Sequence, residues 1–371
     1  MRSYILRRLL LIIPTLFGIM LINFAVVQFV PGGPVEQLIS QITGDGVEVT
    51  ARVGGDAGQE IDVGTSQKSK EVESSGISSR YRGAQGLPPD LIKEIEVQFG
   101  LNKPPIERFI LMMENYIKFE FGNSFFQDKS VIELVIEKMP VSISLGLWTT
   151  LLVYLISIPL GVSKAIRDGS KFDIWSSGVV IFGNAVPGFL FAILLIVIFS
   201  GGRYLDWFPL RGLTSPGFEA MSTFERIIDY FWHLTLPLIS MVIGGFAGLT
   251  MLTKNSFIEE INKQYVLTAK AKGLTQHRVL YGHVFRNAML IVIAGFPSAF
   301  IGILFTGAML TEIIFSLDGL GLLGFEAALK RDYPVMFGTL YFFTLLGLIM
   351  GIIGDIMYHI IDPRIDFESR G

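Results

Sequence analysis

Long apolar runs separated by short polar segments dominate the chain, and each run is long enough to matter to a membrane. A bilayer core takes about 20 apolar residues as a helix. Six runs meet that length, at 9–30, 141–165, 176–200, 233–252, 288–315 and 335–361. Most carry an internal proline (Pro14, Pro159, Pro187, Pro237, Pro297), which membrane helices tolerate when neighbours re-satisfy the freed carbonyls. The first run has a positive flank, as a signal peptide would. Its apolar part is too long for one, and Pro31-Gly32-Gly33-Pro34 follows instead of a small-residue cleavage site, so the pattern predicts a retained span. The expected fold class is all-α, a polytopic bundle of six membrane helices.

Composition agrees. Of 371 residues, 51% are hydrophobic and 17% charged, with 30 Phe, and the mean hydropathy is +0.54; a soluble domain of this size needs far less apolar material. A net charge of −3 gives no global bias toward nucleic acid. The absence of cysteine excludes disulfides, thiolate metal sites and cysteine nucleophiles.

Lys and Arg in the short loops set the expected orientation. One side collects Arg2, Arg7 and Arg8, then Lys164, Arg167 and Lys171, then Lys254, Lys263, Lys270, Lys272, Arg278 and Arg286, and Arg364 and Arg370 in the tail. The other side holds Arg203, Arg211 and Arg226 in one loop and Lys330 and Arg331 in another. Both termini are expected in the cytoplasm, with 31–140 translocated. Within that segment, 44–86 is rich in Gly, Ser and acids with almost no aromatics, a composition that predicts a flexible insertion. From 90 to 138 the pattern turns helical: Ile92, Ile95 and Phe99, then Phe109, Met112, Met113 and Tyr116, lie at helical spacing. This subdomain suits a structural lid or a docking surface for an external partner.

The polar loop 254–287 carries the most chemistry. Ile258, Ile261, Tyr265 and Ala269 form one helical stripe, with Glu259, Glu260, Lys263 and Lys270 on other faces. Gly273 suits the left-handed residue that ends such a helix, and Thr275 could cap a second one bearing Val279, Leu280, His283 and Val284. Three readings compete: an interfacial loop helix, a helix-turn-helix DNA reader, or a short helix that docks on a cytoplasmic motor. A reader tethered by spans on both sides could not freely reach a major groove, so no nucleic-acid partner is expected. The chain contains no G-x-x-x-x-G-K-[ST], so a motor would have to be another chain.

The motifs are similar to those of type I ABC importer permeases of the dipeptide/oligopeptide branch. They are Tyr265…Thr268-Ala269-Lys270-Ala271-Lys272-Gly273 with His283…Arg286-Asn287-Ala288, supported by Tyr4…Arg7-Arg8-Leu9-Leu10, Pro31-Gly32-Gly33-Pro34-Val35, Phe121-Gly122-Asn123-Ser124, Glu312…Phe315, Gly319-Leu320-Gly321, Arg331-Asp332-Tyr333-Pro334 and Asp362-Pro363-Arg364. The match spans nearly all of the chain outside about 44–86. The E-A-A-x-x-x-G pattern of the wider family is incomplete here, since Leu267 and Thr268 stand where Glu and the first Ala would be. That departure resembles the peptide branch. The insertion, with the wording around Thr149 and at 251–257, resembles B-type permeases of importers for peptides and the peptide–nucleotide antibiotic microcin C.

The resemblance implies a type-1 transmembrane domain over 139–361 in a bacterial inner membrane. It also implies a second homologous permease, one or two ATP-binding subunits holding ATP and Mg, and a periplasmic or extracellular peptide-binding protein. No cofactor is expected on this chain, and neither catalytic residues nor metal ligands. Ile261, Tyr265, Thr268, Ala269, Ala271, Gly273, His283 and Arg286 would couple to the ATPase, with Ile261, Tyr265, Ala269 and Gly273 carrying the docking. Gly319, Gly321, Asp332 and Pro334 would form the outer mouth where the binding protein docks. Permeases of the same family for nickel or a glycoside are the alternative. A secondary transporter would need broken helices in internal repeats with midplane charges, and none is read here. A membrane-tethered enzyme lacks a nucleophile–base set.

Three further features have local readings. Gly319-Leu320-Gly321-Leu322-Leu323-Gly324 matches G-x-G-x-x-G, yet no strand precedes it as a dinucleotide fold requires. Its glycines are expected to let an irregular loop fold back, or to make a tight turn. Glu312 either lines the path or pairs with an Arg such as Arg331, or anchors a helix end. Asp355 and His359 are one turn apart, a helical pair or a site near the inner end. Gly244…Gly248 and Gly347…Gly351 predict close helix contacts, consistent with a bundle that pairs with a second permease.

Overall fold

The computed structural model describes residues 2–29, 102–202, 204–302 and 308–361. The flexible insertion, the Pro31–Val35 motif, the helical stripe of Ile92, Ile95 and Phe99, and Asp362-Pro363-Arg364 all lie outside them. The described residues are helical: α1 (Arg2–Phe29), α2 (Pro105–Ile117), α3 (Val131–Ile166), α4 (Lys171–Ala185), α5 (Gly188–Phe199), α6 (Thr223–Ile261), α7 (Gln264–Ala271), α8 (Gln276–Val279), a π-turn (Leu280–Val284), α9 (Phe285–Ala288), α10 (Leu290–Ala294), α11 (Phe296–Gly302), α12 (Met309–Ile314), α13 (Leu320–Lys330) and α14 (Tyr333–Ile361).

Four described helices (α1, α3, α6 and α14) are long and apolar enough to cross a bilayer. The run expected at 176–200 is not one straight helix: α4 and α5 meet at a 90° bend. Pro187 explains it, because a proline disfavours helical backbone at the residue before it, and Val186 is extended (φ −85°, ψ 118°). The run expected at 288–315 is a series of short helical pieces, α9 to α12, across which 303–307 are outside the described residues.

The chain divides into two compact units. The first comprises 1–10, 138–322 and 345–371. Here α4 and α5 pack along α6, and Leu145, Ala192, Leu195, Leu234, Leu236, Leu238, Phe315 and Leu317 form a buried core. Helices α3 and α6 pack tightly at Gly161, where a Cβ would lie 2.6 Å from Thr253 Cβ and 2.8 Å from the Thr250 carbonyl. A Cβ at Gly244, Gly248 or Gly351, where close helix contacts were expected, would meet nothing within 4 Å among the described residues of this chain. Their faces are open because the helices of this chain cross elsewhere.

The second unit comprises 11–137 and 323–344. Helix α2 follows the expected stripe, burying Phe109 and Tyr116. Aromatic rings knit this unit together: Phe24 on Phe109 (5.3 Å between centroids), Tyr116 on Phe121 (4.8 Å) and Phe121 on Tyr341 (5.4 Å).

Candidate functional site: a short helix seated on the bundle

Helix α6 ends at Ile261, and after Asn262 and Lys263 the chain starts α7. Gly273 (φ +79°) ends that helix. Its amide donates to the Lys270 carbonyl (2.9 Å) and that of Leu274 to the Ala269 carbonyl (3.3 Å), the paired bonds of a Schellman stop. A side chain at Gly273 would be strained whatever space surrounds it, since L-residues avoid this φ.

The seat of α7 corrects the expected docking face. Val266 and Ala269 are buried against Val162 and Ala165 of α3, Phe257 of α6, and Val279, Leu280, Val284, Ala288, Met289 and Val292. Ile258, Ile261 and Tyr265 pack on the same cluster. The stripe of Ile261, Tyr265 and Ala269 therefore faces this chain's own core, because an eight-residue helix has no stability of its own and needs such a floor. Tyr265 is fixed further by donating its hydroxyl to Glu260 (2.8 Å), and burial pushes its pKa upward. The outward face is Leu267, 63% exposed, with Thr268, Lys270, Ala271, Lys272 and Gly273.

After Gly273 the chain forms a nearly continuous helix from 276 to 288, widened by the π-turn. Thr275 occupies the cap position without a side-chain hydrogen bond. The π-turn inserts one extra residue per turn, a device frequent at functional sites. Val279, Leu280 and Val284 remain inward, while His277, Arg278, Tyr281, His283 and Arg286 are exposed. The His277 and Tyr281 rings lie 4.6 Å apart. An exposed apolar residue, Leu267, is thus displayed on α7 with Lys270 and Lys272, and the helix that follows displays further basic residues.

A second cluster escaped the sequence reading, which used its lysines only as topology signals. Lys164, fully buried near the end of α3, donates to the Asp173 carbonyl (2.9 Å), Ser176 Oγ (2.9 Å) and Ser177 Oγ (2.6 Å), and meets Asp173 Oδ1 at 3.0 Å. Lys254 of α6 donates to both Asp173 oxygens (2.9 and 2.8 Å) and pairs with Asp168 at 2.8 Å. The Gly169 amide adds a bond to Asp173 Oδ2 at 3.2 Å. Lys164 and Asp173 are nine residues apart, a spacing that could have flagged a contact across the α3–α4 turn.

Glu312 is completely buried. It accepts from Ser142 Oγ (2.7 Å) and the Leu322 amide (2.7 Å), and from the Gly321 amide, while Ser142 Oγ accepts from the Leu320 amide at 2.7 Å. Of its two expected readings, path-lining or pairing with Arg331 against helix anchoring, the observed partners give the anchor: the carboxylate holds the free amides at the start of α13. The expected irregular loop is helix α13 itself. Gly319 and Gly321 are needed for proximity, since a Cβ at Gly319 would lie 2.3 Å from Glu312 Oε1 and one at Gly321 2.9 Å from Oε2.

Within the second unit, Asp332, expected at a docking mouth, is 4% exposed. Its carboxylate accepts from the Ser124 hydroxyl and from the Phe125 amide (3.2 Å), tying the 121–124 motif to the start of α14. Burial raises the Asp332 pKa against these bonds. Pro334 lines a cavity of about 380 Å³ with Phe24, Arg108, Tyr116 and Phe337. Asp355, in the first unit, accepts from Tyr4 (3.1 Å) and pairs with Arg8 (3.1 Å), which fastens α14 to the start of α1.

Ser215, Asp229 and His233 meet, but not in hydrolytic order. Asp229 binds the Ser215 amide (2.8 Å) and hydroxyl directly, while His233 Nδ1 faces the Gly212 carbonyl (2.9 Å). A general-base histidine would have the carboxylate on Nδ1; this trio pins a loop to α6.

Residues 157–367 match the family model described as "Binding-protein-dependent transport system inner membrane component". Over 370 residues the chain is 60% identical to the "Peptidoglycan transport system permease protein YejB" of Agrobacterium fabrum, covering 100% of both chains. It is 55% identical over 371 residues to the "Inner membrane ABC transporter permease protein YejB" of Escherichia coli O157:H7, again over 100% of both. With the "Oligopeptide transport system permease protein AppB" of Bacillus subtilis it shares 32% over 372 residues, 99% of this chain and 100% of the other. The apolar helices, the α7 corner and these matches converge: the chain is a multi-pass membrane protein and belongs to the family of inner-membrane components of binding-protein-dependent transport systems.

Proposed function

We propose that this chain is a permease subunit of an ABC importer for peptides, driven by ATP hydrolysis on separate subunits. The observation that carries the mechanism is the seat of α7. Val266 and Ala269 are sunk into the core that joins α3, α6 and the 276–292 stretch, and Leu267 points away from it. A partner that grips Leu267 and the surrounding basic residues would move that core as a rigid body.

In this reading α7 and the 276–288 helix face the cytoplasm, as the excess of Lys and Arg on that side supports. ATP and Mg belong to one or two ATP-binding subunits. A second, homologous permease completes the pathway, and the open faces at Gly244 and Gly248 suit close contact with its helices. A binding protein delivers the peptide from outside. The peptide class rests on the name of the relative at 32% identity, an oligopeptide transport system permease, and the ABC class on that of the relative at 55%. A narrower reading, peptides released from peptidoglycan, is favoured by the relative at 60%.

The test is reconstitution of the chain with its second permease, ATPase and binding protein in proteoliposomes. Labelled peptides of three to six residues and the stem tripeptide of peptidoglycan are offered with and without ATP. ATP-dependent accumulation of any of them supports the reading, and preference for the stem peptide selects the narrower one. Accumulation that ignores ATP would overturn it.

A further inference from the structure

The Lys164–Asp173–Lys254 cluster is carried by the same stretches of α3 and α6 that supply the seat of α7. Val162 and Ala165, which flank Lys164 on α3, are in the floor on which Val266 and Ala269 rest, and so is Phe257, three residues beyond Lys254 on α6. Gly161, three residues before Lys164, meets Thr253, the residue before Lys254: a Cβ at Gly161 would lie 2.6 Å from Thr253 Cβ. Three helices thus meet one carboxylate: α3 through Lys164, α6 through Lys254, and α4, which carries Asp173 in its first turn.

A buried ion pair is a poor way to gain stability, since apolar groups of similar volume often do as well or better. What it supplies is a fixed geometry. Every acceptor of Lys164 Nζ comes from α4, whether the Asp173 carbonyl and carboxylate or the Ser176 and Ser177 hydroxyls. Lys254 bridges Asp173 and Asp168, the latter in the α3–α4 turn. Sliding α6 along α3 would part Asp173 from Lys254 if α4 stayed with α3, or from Lys164 if α4 followed α6, so the three helices resist separation.

We infer that Asp173, with Lys164 and Lys254, is a positioning clamp that makes α3, α4 and α6 follow α7 as one body, so that force applied at α7 reaches the spans. This rests on the reading of α7 as the coupling helix. No group here touches the transported solute, and the cluster acts only through the helices it joins.

The chain has no cysteine, so spin labels can be placed in it uniquely at the exposed positions Lys171→Cys on α4 and Gln264→Cys on α7. In the reconstituted importer the wild-type clamp predicts one narrow inter-label distance, unchanged between the nucleotide-free and ATP-trapped states. Asp173→Asn should broaden it and make it differ between states, and lower the peptide moved per ATP by about tenfold, within the usual range of site-to-site coupling. Asp173→Glu should recover much of both.

The decisive variant is Lys164→Met with Asp173→Asn, which removes the buried pair without leaving a lone charge. The clamp predicts a normal membrane level with the broadened distance and low peptide-per-ATP ratio. Wild-type distance and ratio in that double variant would overturn the inference, and so would its loss from the membrane, which would assign the cluster to folding. A wild-type complex that moves no peptide on ATP would instead count against the permease reading.

Discussion

Ser142 donates its hydroxyl to Glu312 at 2.7 Å, joining α3 to α12 across 170 residues of sequence. The same hydroxyl oxygen receives the Leu320 amide and the carboxylate receives that of Leu322, so two side chains close the start of α13. Along α3, Ser142 and Lys164 are about 33 Å apart at 1.5 Å per residue. The helix therefore carries a buried polar anchor near each end of its membrane span.

Glu312→Ala leaves the Ser142 hydroxyl and two backbone amides without an acceptor. It should cost about 3 kcal/mol, given 1–3 kcal/mol per unsatisfied buried group. Thermal unfolding in detergent measures it. Gly319→Ala should act through the same contact, because its Cβ would fall 2.3 Å from Glu312 Oε1. An unchanged melting temperature in both variants would remove the anchor.

Gly161→Val overpacks the α3–α6 crossing, where even a Cβ lies 2.8 Å from a backbone carbonyl that cannot rotate away. A loss of about 1–3 kcal/mol is expected, as for other overpacked cores. Gly248→Val, with nothing within 4 Å of its Cβ in this chain, should leave the isolated subunit's melting temperature unchanged. Its effect should appear only when a second permease is present. Comparing the two melts with and without the partner checks both.

Asp332 gives a pH dependence with a definite sign. Burial raises its folded pKa above the unfolded value, so the folded state binds the proton more tightly. The group therefore costs stability above its folded pKa. The cost is relieved as the pH falls from that value toward the ordinary carboxylate range, where it is gone. Asp332→Asn, which still suits a helix start, should flatten this component of the melting temperature measured between pH 7 and pH 4. An identical pH slope in the variant would contradict it.

Much of this was legible in the chain. Apolar runs located the spans, and Gly273 marked the stop of α7, because both rest on local rules of length and backbone conformation. The bend at Val186-Pro187 was signalled by its proline, but a run apolar on both sides of it reads as one span. Spacing alone placed Ile261, Tyr265 and Ala269 on one face; which way that face looked depends on α3 and on 279–292, which no local pattern reveals. Glu312, Asp332 and Asp173 all stood out less than their roles warrant, since their partners are 170, 208 and 81 residues away in sequence.

Leu267 and Ala269 separate docking from folding on the same helix. Ala269 is 8% exposed and Leu267 63%. Ala269→Glu would bury a charge without a partner, so it should lower the amount of protein in the membrane. It therefore cannot isolate docking.

Leu267→Lys leaves the seat of α7 intact and changes only its outward face. The direct measurement is co-purification of the ATP-binding subunits with this variant, together with peptide uptake. The account predicts a normal membrane level and melting temperature, loss of the ATPase from the purified complex, and no ATP-driven uptake. Stoichiometric ATPase with undiminished uptake would contradict it.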